Sequence, residues 1–362
     1  MDFPKEIAEQ FRINGSFMRS QRWGSGNVND TFLSVFLCEG TEKRFVCQRI
    51  NHLVFKDPEG LMENVRRVTD HLRAKAKGSR SLRLIDTPAG EWIVRDERGN
   101  YWRAYEYVED TESPEYARDL SDAYEAAKAF GAFQRDLIDL PGPQLRETIP
   151  EFHHTLKRLD RLIQVADEDP CGRAGTVMQE ISFLCKRRPL AEWFEDKETK
   201  GDLPRRVVHN DTKLNNVMFD RLTGKAVCVV DLDTVMPGLI SSDFGDLARS
   251  AAASAMEDEP DLDKMFFRLD IFEALAQGYL EAVAGFLTPA EQESLSLAPM
   301  ALTLELATRF LSDYIAGDVY FKTLHPQHNL VRARAQTKLL SSMEDQREDI
   351  RSIVKRYAAA SV

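Results

Sequence analysis

The first hundred residues read mostly as short β-rich runs separated by polar turns. Thr31-Phe32-Leu33-Ser34-Val35-Phe36-Leu37 and the run from Arg44 to Ile50 flank the polar stretch Glu39-Gly40-Thr41-Glu42-Lys43 and predict a hairpin. Further β-rich runs lie at residues 81–85, 92–95 and 102–108. Two segments break this texture: an amphipathic opening around Ile7 and Phe11, and a helix opened by Pro58 with Leu61, Val65, Val68 and Leu72 on one face. From Ser113 the period becomes helical. Ser113 is placed to cap and Pro114 to occupy the first position of a helix reaching about Leu137, where Pro141-Gly142-Pro143 stops it. Helical spacing also dominates residues 152–166, 177–193, 262–286, 302–314 and 329–357, with one short β-island between Arg206 and Val235. The pattern predicts an α+β protein with a small β-rich N-terminal lobe, residues 1–108, and a large, mainly helical C-terminal lobe, residues 109–362.

Composition narrows the partners. The formal charge of -11 speaks against a nucleic-acid surface, whose affinity rests on excess Lys and Arg, but leaves room for a phosphate ligand if a metal ion brings positive charge. The five cysteines form no C-x-x-C pair and mostly sit in apolar runs, the pattern of free thiols in a reducing compartment. The first residues carry no basic-then-apolar signal pattern, and no apolar run approaches the ~20 residues of a membrane span. The expectation is a cytoplasmic chain that engages neither membrane nor nucleic acid.

The chemistry concentrates in the β-island. It reads Val207-Val208-His209-Asn210-Asp211-Thr212-Lys213-Leu214-Asn215-Asn216, then, past Thr223-Gly224, Val229-Val230-Asp231-Leu232-Asp233. With Thr223 and Gly224 at a hairpin turn, Asn216 falls opposite Asp231, pairing an amide oxygen with a carboxylate, hard ligands of the kind Mg²⁺ takes beside phosphates and water. Asp211 lies in the loop feeding this hairpin, where a base reaches a substrate hydroxyl. The spacing H-x-D-x-x-x-x-N followed by a strand ending in Asp is that of the phosphoryl-transfer apparatus of protein-kinase-like enzymes. Composition alone produces the spaced triple in about one or two chains per hundred of this length.

These residues resemble the aminoglycoside phosphotransferase and choline kinase family, and within it the N-acetylhexosamine 1-kinases. The resemblance is carried by Gly24-Ser25-Gly26-Asn27-Val28-Asn29-Asp30, Gln48-Arg49-Ile50-Asn51-His52, Leu61-Met62-Glu63-Asn64-Val65, the β-island, Asp243-Phe244-Gly245-Asp246, Arg309-Phe310-Leu311-Ser312-Asp313-Tyr314 and Gly317-Asp318-Val319-Tyr320-Phe321. It implies a bilobal protein-kinase-like fold with ATP as co-substrate. Asp211 would be the base, and Asn216 and Asp231 would hold Mg²⁺ on the nucleotide phosphates. Leu232-Asp233 stands where protein kinases have Phe-Gly. The later Asp243-Phe244-Gly245 has no strand feeding it, and the resemblance gives its carboxylates a structural task, tethering the catalytic loop.

On the nucleotide side, Gly24 and Gly26 suit a flap whose backbone approaches phosphates. The third strand offers Arg49 where protein kinases place a Lys, and the following helix offers Glu63 as its partner; a register one residue different would present Gln48 instead. Tyr105 and Tyr107 leave the last strand where kinases bond adenine through backbone groups. On the acceptor side the resemblance implies a free N-acetylhexosamine, GlcNAc or GalNAc, phosphorylated on its anomeric hydroxyl, with Asp30, Arg309 and Tyr320 near the sugar. Two readings compete: the same fold acting on choline, an aminoglycoside or another small alcohol, which would call for an acidic, aromatic cage, and a non-catalytic nucleotide-binding scaffold. His325 and His328 have no third ligand nearby in sequence and read as a polar loop.

Overall fold

The computed structural model describes residues 5–24, 28–75, 80 and 82–360. The chain begins with α1 (Lys5–Ala8), β1 (Ser16–Arg22), β2 (Asp30–Cys38), β3 (Thr41–Ile50), α2 (Pro58–Lys75), β4 (Val94–Arg95), β5 (Tyr101–Glu106) and β6 (Thr111–Glu112). It continues with α3 (Leu120–Leu137), α4 (Thr155–Glu168), α5 (Met178–Cys185), α6 (Arg188–Thr199), β7 (Arg206–Val208), β8 (Val217–Asp220), β9 (Ala226–Val229) and β10 (Met236–Gly238). The remainder is helical: α7 (Ile240–Ala251), α8 (Leu269–Val283), α9 (Pro289–Leu295), α10 (Ala298–Ala316), α11 (His328–Asp345) and α12 (Arg347–Ala360). Two compact units result. The first joins Met1–Glu112 to Asp136–Pro150 and Met218–Pro237; the second comprises Ser113–Arg135, Glu151–Val217 and Gly238–Val362. Sequence places a single boundary near residue 108, whereas two later segments return to the first unit.

The first unit holds a five-stranded antiparallel sheet in the order β1-β2-β3-β5-β4. Glu39 and Gly40, both at positive φ, make the two-residue turn that sets Cys38 opposite Thr41, so register is fixed from the hairpin outward. Phe32, Cys47 and Ala104 thereby align across three strands and pack with Phe36, Phe45 and Trp102 against Ile7 and Phe11 of the opening segment. Strand β1 carries no period-two signal, because most of its residues are exposed. The expected strand at 81–85 reduces, among the described residues, to a bridge between Leu84 and Tyr105. A second small sheet orders β6-β8-β9.

The second unit is helical around α10, which packs on α4, α7 and α11, while α8 packs on α12. The expected helix from Ser113 begins only at Leu120. Asp119 caps it by accepting the Asp122 N–H (3.0 Å), while the Ser113 hydroxyl is committed to the Asn215 and Val217 carbonyls. The long periodic stretches 177–193 and 329–357 each break into two helices. Helix α7 is not among the expected helices, although Ile240, Phe244, Leu247, Ala248 and Ala251 recur at helical spacing; in the structure its polar side, Asp243 and Asp246 included, is buried as well. Gly245 makes this burial feasible: a Cβ there would lie 2.6 Å from the Ala298 carbonyl oxygen, so only glycine lets α7 approach α10 so closely. Cys38, Cys47 and Cys228 are buried free thiols, and burial pushes those of Cys47 and Cys228 up to about 12. Among the described residues no helix is long and apolar enough to cross a membrane.

Candidate active site

Strand β7 delivers His209, Asn210 and Asp211 into a loop that ends in a short 3-10 turn, Leu214–Asn216. The loop is held from beneath by α7. The buried Asp243 carboxylate accepts the N–H groups of His209 (2.8 Å) and Asn210 (2.7 Å) and an amide N–H of Gln134 (2.6 Å). Thr212 donates its hydroxyl to the Asp243 carbonyl (2.6 Å) and its N–H to Asp246 (3.1 Å), which is itself paired with Arg249. Burial raises the Asp243 carboxyl's affinity for its proton, and His209 with the three donors offsets part of that. The sequence expectation that these acidic residues tether the loop matches what the bonds do. Removing the Asp243 carboxylate would leave several buried donors unpaired, at about 1–3 kcal/mol each.

Asp211 is the loop's partly exposed carboxylate. One oxygen accepts from the Asn216 amide (3.1 Å) and the other faces the Lys213 ammonium (2.8 Å); the same amide also bonds the Asp211 carbonyl (2.8 Å). The His209 ring is buried edge-on between Phe130 and Phe133, and its Nδ1 accepts the Asp211 N–H (3.3 Å). His209 is thus a packing and orienting residue. Because Asn216 spends its nitrogen on Asp211, its oxygen is the end that remains to face a cation.

Arg309 of α10 and Tyr320, the two residues expected from sequence to lie near an acceptor, stand close together. The guanidinium lies 5.7 Å from the ring centroids of Tyr320 and Phe152 and 5.4 Å from that of Phe321. The loop carrying Tyr320 and Phe321 is built on the buried Asp313, whose carboxylate accepts the N–H groups of Val319 (3.0 Å), Tyr320 (2.8 Å) and Phe321 (2.9 Å). Glu305, one turn before Arg309 on α10, lies 4.0 Å from it and accepts from His153 Nδ1 (3.0 Å) and the Thr155 hydroxyl (3.0 Å).

In the first unit, Asp231 follows β9 in the left-handed region (φ 61°, ψ 61°), exposed, at the start of a 3-10 turn through Leu232–Thr234. Asp233 of that turn is buried and forms an ion pair with Arg103 of β5, itself buried. Asn29 donates to the same carboxylate (2.6 Å) and Thr148 to the Asp233 carbonyl (2.8 Å). Arg103 also donates to Gln48 (3.0 Å), and Gln48 to Thr31 (3.0 Å). Burial disfavours charge on Arg103, but Asp233, with Tyr105 and Asp231 adding to it, more than reverses this, and the guanidinium holds its proton more tightly than usual. Sequence reasoning overlooked Arg103; its signal was a charge in the middle of an apolar strand, Trp102-Arg103-Ala104-Tyr105, which demands a buried partner.

The nucleotide-side expectations fare unevenly. Arg49 and Glu63 are not brought together: register sets Arg49 beside Asp30, whose carboxylate it binds together with Arg22, while Glu63 pairs with Arg146 (3.0 Å). Register makes Gln48, not Arg49, the third-strand residue on the face of Arg103 and the Asp233 turn. Asp30 is therefore already engaged by two arginines. Gly24 sits at φ 77° with open space around it, so its backbone angle, not crowding, favours glycine; Gly26 lies outside the described residues. The Tyr105 side chain is buried and burial raises its hydroxyl's affinity for the proton, while Tyr107 lies under Arg44 and gives its N–H to the Arg44 carbonyl (3.2 Å).

Asn216 does not fall opposite Asp231 in a strand ladder, as the expected hairpin has it. Asp220 donates to the Lys225 carbonyl (2.9 Å), where the expected register has Val227, because the Asp220 carboxylate caps a tight turn by accepting from Leu222 and Thr223. Both residues lie outside the paired strands, in turns at their ends. As donors they offer one amide oxygen and one carboxylate. Among the described residues no three or more His, Cys, Asp or Glu side chains gather as a metal site. Asn216 and Asp231 are each a hard oxygen donor of the kind Mg²⁺ accepts beside water and substrate phosphates, since that ion takes few protein ligands.

Residues 25–284 match the phosphotransferase enzyme family. Solved structures of similar fold include a microcompartment-associated aminopropanol kinase (15% identical, TM-score 0.64, covering 96% of this chain and 97% of that one). An aminoglycoside phosphotransferase from Alicyclobacillus acidocaldarius (14%, TM-score 0.61, 99% and 97%) and a choline kinase from Cryptosporidium parvum (13%, TM-score 0.57, 98% and 98%) are likewise similar. At these identities the likeness is one of fold.

Proposed function

The chain belongs to the phosphotransferase enzyme family, and from that premise we propose that it is an ATP-dependent kinase that phosphorylates the anomeric hydroxyl of an N-acetylhexosamine. The observation carrying this reading is the Asp211 carboxylate, oriented through both oxygens on a loop pinned by Asp243. Asp211 accepts the hydroxyl proton as the sugar oxygen attacks the γ-phosphorus; the bond to the β-phosphate oxygen breaks and ADP leaves. An anomeric hydroxyl is more acidic than an ordinary alcohol, so one placed carboxylate suffices. Asn216 and Asp231 would hold Mg²⁺, which when bound supplies positive charge against the phosphate oxygens. ATP as donor accords with the ADP-bound state of a spectinomycin phosphotransferase of similar fold (13% identical, TM-score 0.54, covering 92% of this chain and 94% of that one).

For the acceptor, the rings of Phe152, Tyr320 and Phe321 already lie within 5.7 Å of a cation, the guanidinium of Arg309. A quaternary ammonium or aminoglycoside amine would meet that like charge, whereas a neutral sugar gains hydrogen-bond donors beside an aromatic face. The test is a panel of GlcNAc, GalNAc, choline and aminoglycosides with ATP and Mg²⁺, the product phosphate located by NMR. Sugar 1-phosphate is expected; choline phosphate alone, or a sugar 6-phosphate, would overturn the acceptor assignment. Arg309→Ala should raise the sugar KM about tenfold or more and leave the ATP KM unchanged.

A further inference from the structure

His153 precedes α4 and touches no part of Asp211, yet it is bonded to the peptide from which Asp211 projects. Its Nδ1 is 3.0 Å from a Glu305 carboxylate oxygen and its Nε2 is 3.0 Å from the Asn210 carbonyl oxygen. Both partners only accept. A neutral imidazole carries one N–H and satisfies one of them; two such bonds require both nitrogens protonated. The Asn210–Asp211 peptide plane is thereby fixed at both ends, its oxygen by His153 and its N–H by His209 Nδ1. Asn210 itself is held at φ 66°, a conformation that costs a non-glycine residue free energy and persists only where its surroundings impose it.

The charged groups around the ring come from every neighbouring element. Glu305 from α10 and Asp246 from α7 act on the ring itself; Arg309 of α10 and Arg158 of α4 bear on Glu305, Arg249 of α7 and Lys213 of the loop bear on Asp246, and the Phe152 ring packs at 4.6 Å. Burial opposes a charge on His153, and Glu305, aided by Asp246, outweighs it, so the ring holds its proton above the ordinary histidine range. Burial opposes ionisation of Glu305 in turn, and His153, with Arg309 and Arg158 adding to it, keeps the carboxylate ionised.

We infer that His153 is a positioning residue: as an imidazolium anchored on Glu305, it clamps the Asn210–Asp211 peptide and sets the aim of the proposed base. This rests on the reading of Asp211 as that base. The sign follows from the proton count. The folded chain binds the His153 proton more tightly than the unfolded one, so the clamp is intact at low pH and is lost as pH rises through the folded-state value. Turnover then falls on an alkaline limb lying above the ordinary histidine range.

The test uses the full chain with Mg²⁺, ATP and the acceptor that turns over, and reads kcat and KM from pH 6 to 9 beside imidazole ¹⁵N NMR, the His153 signal being assigned by its loss in His153→Gln. The doubly protonated signature should persist above pH 6.5. His153→Gln keeps one donor for the Asn210 carbonyl but cannot titrate. It should lower kcat about ten- to hundredfold with little change in the ATP KM, and abolish the limb. Glu305→Gln should move the limb to lower pH. A neutral His153 at pH 6.5, or an unchanged limb in folded His153→Gln, would overturn the inference. Full turnover by Asp211→Asn instead removes the base assignment, while the ¹⁵N titration and the limb continue to judge the clamp.

Discussion

Replacing Arg103 with methionine removes the charge from the most deeply buried ion pair among the described residues of the first unit while nearly keeping side-chain length. Arg103 and Asp233 are each almost wholly shielded from solvent. After the substitution the Asp233 carboxylate retains the Asn29 amide (2.6 Å) as a donor but no countercharge, and Gln48 loses the guanidinium N–H at 3.0 Å. Stranding one member of a buried pair costs about 3–5 kcal/mol, a large part of the ~5–15 kcal/mol that holds a typical domain folded. Arg103→Met should therefore lower the urea midpoint sharply. Because Asp231 opens the same turn, it should also raise the KM for MgATP. Removing both charges, as Arg103→Met with Asp233→Leu, should recover part of the stability, since the stranded charge is gone and what remains is the neutral Asn29 amide and Gln48 oxygen without their partners, at about 1–3 kcal/mol each. Urea unfolding followed by circular dichroism measures all three chains. A single variant within about 1 kcal/mol of the parent, or a double variant no better than the single, would refute the reasoning that this pair holds the turn through mutual compensation.

Two other outcomes follow from the same geometry. Gly245→Ala places a methyl against the backbone carbonyl of Ala298 at 2.6 Å, so α7 and α10 must part; stability should fall by about 1–3 kcal/mol in thermal melts, and kcat with it, because Asp243 and Asp246 ride on α7. Stripping Mg²⁺ with EDTA should weaken ATP binding measured by calorimetry, since Asn216 and Asp231 bring no positive charge of their own; equal affinity with and without the metal would contradict that assignment.

Sequence was most informative where local spacing and chemistry coincide. The spacing from His209 through Asp211 to Asn216 located a loop whose residues do hydrogen-bond one another, and the acidic pair Asp243 and Asp246 was rightly read as its tether. The turn at Glu39 and Gly40 is a local signal and gave the hairpin directly. What failed was whatever depends on register or on distant partners. One residue of register separates Arg49, bound to Asp30, from Gln48, bound to Arg103. A carboxylate-capped turn at Asp220 shifted the second hairpin by two. Helix α7 was passed over although its apolar residues recur at helical spacing, because Ser241-Ser242-Asp243 and Gly245 are poor helix formers, and the contact of His153 with Glu305, far away along the chain, leaves no periodic trace at all.

The proposed mechanism stands on Asp211, and one variant addresses it alone. Asp211→Asn preserves shape and an acceptor oxygen for the Asn216 amide while removing the ability to take a proton at neutral pH. With Mg²⁺, ATP and N-acetylhexosamine, product formation followed by ³¹P NMR should fall about 10²- to 10⁴-fold, while calorimetry finds MgATP bound as tightly as by the parent. Turnover near the parental rate with the same nucleotide affinity would contradict the account at its centre.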